Sequence, residues 1–174
     1  MRYGVRMLEI LRDLPVESHL VLSKAAETTL AYETDLKIAQ VKALADVVYP
    51  VGDVGAAISS GSFQTLGMVV APCSIRSMSE IATGVTSNLL TRAADVVLKL
   101  RETPLHTGHL RSLLALSEMG AVIAPPVPGF YAKPESIDEM VDHTVGRVLD
   151  LFGLETGKVK RWGEESGKVR PLRG

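Results

Sequence analysis

The chain has 174 residues, 46% of them hydrophobic and 22% charged, which fits one globular domain with its own core. Its 19 basic and 20 acidic side chains give a formal net charge of −1, which argues against a nucleic-acid footprint or a polybasic membrane surface. No apolar run reaches the roughly 18 residues of a membrane span, and Cys73 is the single cysteine. We therefore expect a cytoplasmic protein without internal disulfides.

Helices and strands alternate in the first part of the chain. Apolar residues spaced for one buried helix face predict a helix over residues 3–13. The run 18–23 predicts a short strand, and 24–34 predicts the helix that follows it. Ser23 therefore falls at a strand-to-helix junction.

The same order continues towards the C-terminus. We predict helices over 36–45, 73–84, 86–100, 106–120 and 136–154, strands over 46–50, 66–72 and 121–126, and a Gly/Ser-rich loop over 51–63. Repeated strand-then-helix units predict a three-layer α/β domain with a mainly parallel sheet over 1–154, followed by a tail over 155–174. Ligands of such domains bind at the carboxyl ends of the strands.

Two strands run into serines that open helices, at Ser23 and at the segment 73–77. Helix N-termini offer unpaired N–H groups and a partial positive charge, so these serines can belong to an anion site. Serine is equally a common helix N-cap in ordinary domains. Both interpretations stay open from the residues alone.

Four charged residues occur close together at positions 92–102. Arg92 and Lys99 are seven residues apart, which places them on one face of the predicted helix 86–100, and Arg101 and Glu102 follow it. They fit either a polar site or a solvated helix face. The segment 125–131 ends in Phe130 and Tyr131, which suits a pocket wall or an oligomer contact.

Little in the sequence indicates a metal or a nucleophilic thiol. His106 and His109 lack a third ligand nearby, His19 and His143 are isolated, and Cys73 is expected to be a packed thiol. We therefore expect no metal site.

Several motifs occur together in one order: S-S-G-S-F (59–63), P-C-S (72–74), R-A-A-D-V-V-L-K (92–99), R-E-T-P-L (101–105) and P-P-V-P-G-F-Y (125–131). In this combination the chain resembles the UbiX-type flavin prenyltransferases over about residues 3–154. The resemblance implies a homo-oligomeric, dodecameric protein with a flavodoxin-like, Rossmann-like fold. It implies reduced FMN and dimethylallyl phosphate as ligands and no metal. The product, FMN prenylated at N5 and C6, would serve a UbiD-type decarboxylase.

The resemblance also assigns residues by motif. It implies FMN binding by Ser23, Ser74, Ile75, Arg76, Ser77 and Arg101, and dimethylallyl phosphate binding by Arg92, Tyr131 and Arg147. It implies catalytic roles for Glu33, Lys99 and Glu102, with Glu33 handling a proton.

The chain departs from the family pattern at two places. It begins inside the family's first helix, so we expect the N-terminal strand with its glycine turn to be absent. Only Leu100 separates Lys99 from Arg101, where relatives have a further strand. Two alternatives therefore accompany the prenyltransferase: a non-catalytic FMN-binding oligomer, and a decarboxylase of 4-hydroxy-3-polyprenylbenzoate or a related aromatic acid.

Overall fold

The computed structural model describes residues 1–94, 99–100 and 106–161, with the backbone alone at 99–100. The chain divides into two compact units, Met1–Pro125 and Pro126–Gly174. The predicted domain over 1–154 and tail over 155–174 stay predictions. None of the helices in the described part of the chain is long and apolar enough to span a membrane.

Helices and strands follow largely the predicted order. The helices are α1 Arg2–Leu11, α2 Lys24–Glu33, α3 Ile38–Lys42, α4 Ile75–Ala82, α5 Leu89–Ala94, α6 Thr107–Glu118 and α7 Ile137–Asp150. The strands are β1 His19–Val21, β2 Val47–Tyr49, β3 Lys99–Leu100 and β4 Val122–Ile123. A short 3₁₀ helix covers Phe130–Ala132.

The strands form two parallel pairs. β1 pairs with β2 so that His19 lies opposite Val47 and Val21 opposite Tyr49. β3 pairs with β4 so that Lys99 lies opposite Val122. Parallel pairing confirms the strand direction that the alternating pattern predicted, because parallel strands need a crossover connection between them.

The predicted strand over 66–72 is wrong. Its apolar pattern does bury Val70, which is 7% exposed in the core. However, the backbone groups of residues 68–71 make no hydrogen bond to any other described residue. Apolar composition drives burial, whereas a strand also requires a neighbouring strand that supplies donors and acceptors.

The predicted helix over 86–100 is wrong at its C-terminal end. α5 ends at Ala94, and Lys99 belongs to β3. Lys99 therefore does not share a helix face with Arg92. Pairing with β4 stabilises the extended backbone of Lys99 and Leu100.

Two apolar clusters form the core of the first unit. One consists of Val70, Cys73, Met78, Ile81, Ala94, Leu116 and Ala121, and the other of Met1, Val5, Leu8, Leu30 and Val41. α1 also approaches the segment 66–72 closely, since a Cβ on Gly4 would lie 2.4 Å from the carbonyl oxygen of Ala71. Glycine at position 4 therefore permits this contact.

The Asp46 carboxylate, just before β2, binds Ser18, just before β1. Asp46 Oδ2 accepts hydrogen bonds from the backbone N–H and the hydroxyl of Ser18, each at 2.7 Å. These bonds, the backbone one first, lower the pKa of Asp46 below its ordinary value of 3.8. The carboxylate therefore stabilises the fold above that ordinary value, and the stabilisation is lost as the pH falls through the lowered one.

We expect Asp46→Ala to lower the melting temperature by a few degrees at pH 7, and the difference from the parent protein to shrink below about pH 4. Thermal unfolding at several pH values measures this. Asp53→Ala is the control, because Asp53 is exposed and its side chain makes no hydrogen bond with another described residue. A difference that is constant from pH 7 to pH 3 would contradict the prediction.

Candidate functional site

Two helices of the first unit begin at serine caps. Ser23 Oγ accepts from the Ala26 N–H at 3.1 Å, and Ser74 Oγ accepts from the Ser77 N–H at 3.2 Å. Each cap satisfies one N–H of its helix, whereas the first two N–H groups of α2 and of α4 have no partner among the described residues. The cap and anion-site interpretations are therefore compatible, because free N–H groups remain beside each hydroxyl.

The α4 terminus presents hydroxyls and backbone donors. Ser74 Oγ and Ser77 Oγ are 3.1 Å apart. Arg76 Nε donates to Glu80 Oε1 at 2.8 Å, one turn further along the helix. This hydrogen bond raises the pKa of Arg76 and lowers that of Glu80. Ile75 packs against the core, so its backbone N–H is the group it can offer a ligand.

Glu33 lies at the opposite end of α2 from Ser23. Ten helical residues separate the two ends by about 15 Å, so a small anion cannot contact both. The Glu33 carboxylate pairs with the α-ammonium of Met1, and its side chain is 50% exposed. The structure thus does not bring Ser23 and Glu33 together, and only an extended ligand can reach both.

A cavity of about 470 Å³ opens beside this end of α2. It is lined by Leu30, Ala31, Thr34, Asp35, Leu36, Lys37 and Ile38. No motif of the sequence pointed to this cavity, since its walls come from the end of α2 and the turn that joins it to α3.

The charged stretch at 92–102 is described in part. Arg92 is exposed on α5 and forms no ion pair with a described residue. Lys99 is placed by its backbone in β3. Arg101 and Glu102 lie outside the described residues.

The second unit brings Tyr131 next to α7. The Tyr131 hydroxyl is 3.5 Å from His143 Nε2, and the two rings meet edge to face with centroids 5.6 Å apart. Arg147 follows His143 by one helical turn, is exposed, and has no carboxylate partner among the described residues. The contact between His143 and Tyr131 was not predicted, because His143 is isolated in the sequence. Its four-residue spacing from Arg147 on an amphipathic helix was the available signal.

The remaining candidate residues, Cys73, His106 and His109, make packing and capping contacts. Cys73 is 1% exposed within the core. The His106 and His109 rings have centroids 3.6 Å apart, and His106 Nδ1 caps α6 by accepting from the Gly108 N–H. No group of three or more possible metal-ligating side chains occurs among residues 1–94 and 106–161.

Free N–H groups at a helix that follows a parallel strand, as α2 follows β1, are typical of α/β proteins that bind anionic ligands. In agreement with this, residues 1–149 match the family model described as Flavoprotein. The class is therefore that of the flavoproteins.

Within this class the chain belongs to the UbiX family of flavin prenyltransferases. It is 55% identical to the flavin prenyltransferase UbiX of Escherichia coli (strain K12) over 161 residues, covering 87% of this chain and 85% of the relative. It is 48% identical to the flavin prenyltransferase UbiX of Thauera aromatica over 168 residues, covering 92% of this chain and 87% of that one.

Solved structures confirm the flavodoxin-like α/β fold. AnUbiX (PadA1) in complex with FMN and dimethylallyl pyrophosphate superimposes with a TM-score of 0.89 at 48% identity, covering 92% of this chain and 90% of that one. The dodecameric FMN-dependent UbiX-like decarboxylase of Escherichia coli O157:H7 gives 0.89 at 49% identity, covering 92% of both chains.

Proposed function

We propose that the protein transfers the dimethylallyl group of dimethylallyl phosphate to reduced FMN, giving prenylated FMN. The observation that carries this proposal is the 55% identity to the flavin prenyltransferase of Escherichia coli over most of both chains. The AnUbiX relative was solved with FMN and dimethylallyl pyrophosphate, which supports FMN and a phosphate ester of the dimethylallyl group as ligands here.

The capped helix termini fit the phosphate of FMN. Free N–H groups and the hydroxyls of Ser74 and Ser77 lie together at the start of α4, and N–H groups with Ser23 lie at the start of α2. Such groups bind phosphate oxygens and are favoured by the helix dipole. Ile75 and Arg76 contribute backbone N–H groups in this proposal. Arg101 adds a cation by family resemblance.

Departure of phosphate from the prenyl donor calls for cations and a hydroxyl. Within the second unit, Arg147 has no carboxylate partner among the described residues, so its guanidinium group can pair with phosphate, and Tyr131 can donate its phenol hydrogen to a phosphate oxygen. In the first unit, Arg92 is likewise exposed without a carboxylate partner among the described residues. By resemblance we assign Arg92 to binding of the donor, and Lys99 and Glu102 to catalysis.

A new bond at an N–H or C–H position of the flavin releases a proton. A carboxylate near that position can accept it as a general base. We assign this role to Glu33 by family resemblance; its carboxylate is half exposed at the end of α2. No protein-bound metal takes part in the proposed reaction.

The experiment is anaerobic incubation of the protein with reduced FMN and dimethylallyl phosphate, followed by mass spectrometry of the flavin. We expect prenylated FMN, and a parallel incubation with dimethylallyl pyrophosphate identifies the preferred donor. FMN binding without product would favour the non-catalytic alternative. Release of CO₂ from an aromatic acid by the protein alone would favour the decarboxylase.

We expect Ser74→Ala to weaken FMN binding about tenfold, because it removes a hydroxyl from the proposed phosphate site. Ser136→Ala is the matched control, since Ser136 caps α7 by accepting from the Glu139 N–H at 3.1 Å. Each substitution should cost about 1 kcal/mol of unfolding free energy through its cap. Fluorescence titration with FMN distinguishes the two variants, and equal affinities would contradict the assignment.

We further propose that the chain forms a homo-oligomer and supplies prenylated FMN to a UbiD-type decarboxylase. Leu110 and Leu114 of α6 are 53% and 59% exposed and four residues apart, a spacing that gives one apolar helix face. A second copy of the chain can cover this face, and a related structure is dodecameric. The decarboxylase proposal is tested by adding the reaction product to the cofactor-free decarboxylase and measuring CO₂ release.

We expect light scattering at micromolar concentration to give the mass of several chains, with a dodecamer as the predicted state. The monomer mass of 18.7 kDa would contradict the proposed assembly.

A further inference from the structure

A buried histidine contacts one of the two residues of the second unit that we assign to the prenyl donor and lies one helical turn before the other. His143 is 6% exposed, whereas Tyr131 is 44% exposed. Their 3.5 Å separation is at the outer limit for a hydrogen bond, and edge-to-face packing of the rings adds to the contact. Arg147 lies one turn beyond His143 on α7. The Tyr131 side chain thus contacts α7, the helix that carries Arg147, and it does so through the His143 side chain.

Gly129 packs against both rings. A Cβ at Gly129 would lie 3.0 Å from His143 Cε1 and 3.2 Å from Tyr131 Cε1. The φ of Gly129 is −84°, which any residue adopts, so space rather than backbone conformation restricts this position. The two rings and the glycine form one packed group, which we call the Tyr131 support.

We infer that His143 is a positioning residue that holds the Tyr131 ring for binding the phosphate of the prenyl donor. The inference rests on the proposed function. The imidazole packs edge to face on the Tyr131 ring and meets its hydroxyl, so it restricts the rotamers of this side chain and lowers the free-energy cost of ordering it on binding. Either ring tautomer suits this role, since Nε2 can donate to the phenol oxygen or accept from its hydroxyl.

Four variants distinguish a positioning role of His143 from a general effect on the stability of the protein. His143→Leu removes the imidazole and keeps an apolar side chain, while His143→Gln keeps a polar group near the position of Nε2. In Gly129→Ala, the added methyl group pushes against the His143 and Tyr131 rings and displaces them. Ser136→Ala weakens the cap of the same helix without touching the support, and is the control.

The first readout needs no ligand. In the protein with ¹³C-labelled tyrosine, the Tyr131 ring resonances are assigned by their loss in Tyr131→Phe. We expect them to move in His143→Leu and in Gly129→Ala and to stay in place in Ser136→Ala, because the adjacent imidazole shifts them. Unchanged resonances in His143→Leu would overturn the inference.

The second readout is the affinity of the FMN-loaded protein for dimethylallyl phosphate, measured by calorimetry. We expect His143→Leu to weaken it about five- to tenfold and His143→Gln to restore most of it. In the Tyr131→Phe background the effect of His143→Leu should be largely lost, because without the phenol hydroxyl the position of the ring no longer affects phosphate binding.

The outcomes distinguish this inference from the proposed function. If the parent protein binds the donor and His143→Leu binds it equally well, the inference alone is wrong. If the parent protein binds FMN but shows no affinity for the donor, both are wrong. A loss of affinity in Ser136→Ala equal to that in His143→Leu would also overturn the inference, since it would indicate a general effect on α7.

Discussion

Replacing Glu33 by glutamine should lower kcat about 10²- to 10⁴-fold while FMN affinity stays within about twofold of the parent protein. Glutamine keeps the size and hydrogen-bonding atoms of the side chain but cannot accept a proton. Because Glu33 lies about 15 Å from Ser23 along α2, its replacement leaves the proposed phosphate contacts untouched. Anaerobic single-turnover assays measure the rate, and FMN titration measures the affinity.

The matched control for this change is Glu118→Gln. Glu118 is the last residue of α6 and exposed, as Glu33 is the last residue of α2 and exposed. Both changes remove a negative charge from a helix C-terminus, so their effects on stability through the helix dipole should be similar, while Glu33→Gln also loses the ion pair with the α-ammonium of Met1. A full rate in Glu33→Gln, or equal losses in the two variants, would contradict the proton-transfer role.

Replacing Arg147 by methionine should raise KM for dimethylallyl phosphate about 10- to 100-fold, the usual effect of losing a hydrogen bond to a charged group. Methionine retains much of the apolar stem, so the loss reports the guanidinium group. Arg147→Lys should recover part of the affinity, since lysine keeps the charge but not the two-pronged geometry. Steady-state kinetics at saturating reduced FMN provide the measurement.

Arg111→Met is the control for Arg147→Met. Arg111 is also an exposed helical arginine without an ion-pair partner among the described residues, but no motif places it in the site. The oligomer mass of the Arg111→Met variant should be measured first, because Arg111 neighbours the exposed leucines of α6. An unchanged KM in Arg147→Met would remove this residue from the proposed donor site.

Local sequence signals predicted the helix starts well. Ser23, Ser74 and Ser136 each accept a backbone N–H of the helix that follows. A cap depends on a residue and its neighbours two or three positions away, so its signal is contained in a short window. Gly120 likewise follows α6 with a φ of +93°, the left-handed conformation that favours glycine at the end of a helix.

Sequence patterns gave wrong predictions where the structure depends on partners distant in the chain. Residues 66–72 have the composition of a buried strand, yet they pair with no described strand. Lys99 follows a helical pattern in sequence but belongs to a strand, because β4 supplies its partner some twenty residues later. Strand formation is decided by the neighbour as much as by the segment itself.

By itself, therefore, the sequence determined the alternating α/β class, the helix caps that support an anion site, and, through its motifs, the family. The tertiary structure alone decided that the Glu33 carboxylate pairs with the α-ammonium of Met1 and that Arg92 and Lys99 lie on different elements. It also joined His143 to Tyr131, two residues that appeared unrelated in sequence. Caps and periodicity arise from interactions over a few residues, whereas these relations depend on how long-range packing brings separate segments together.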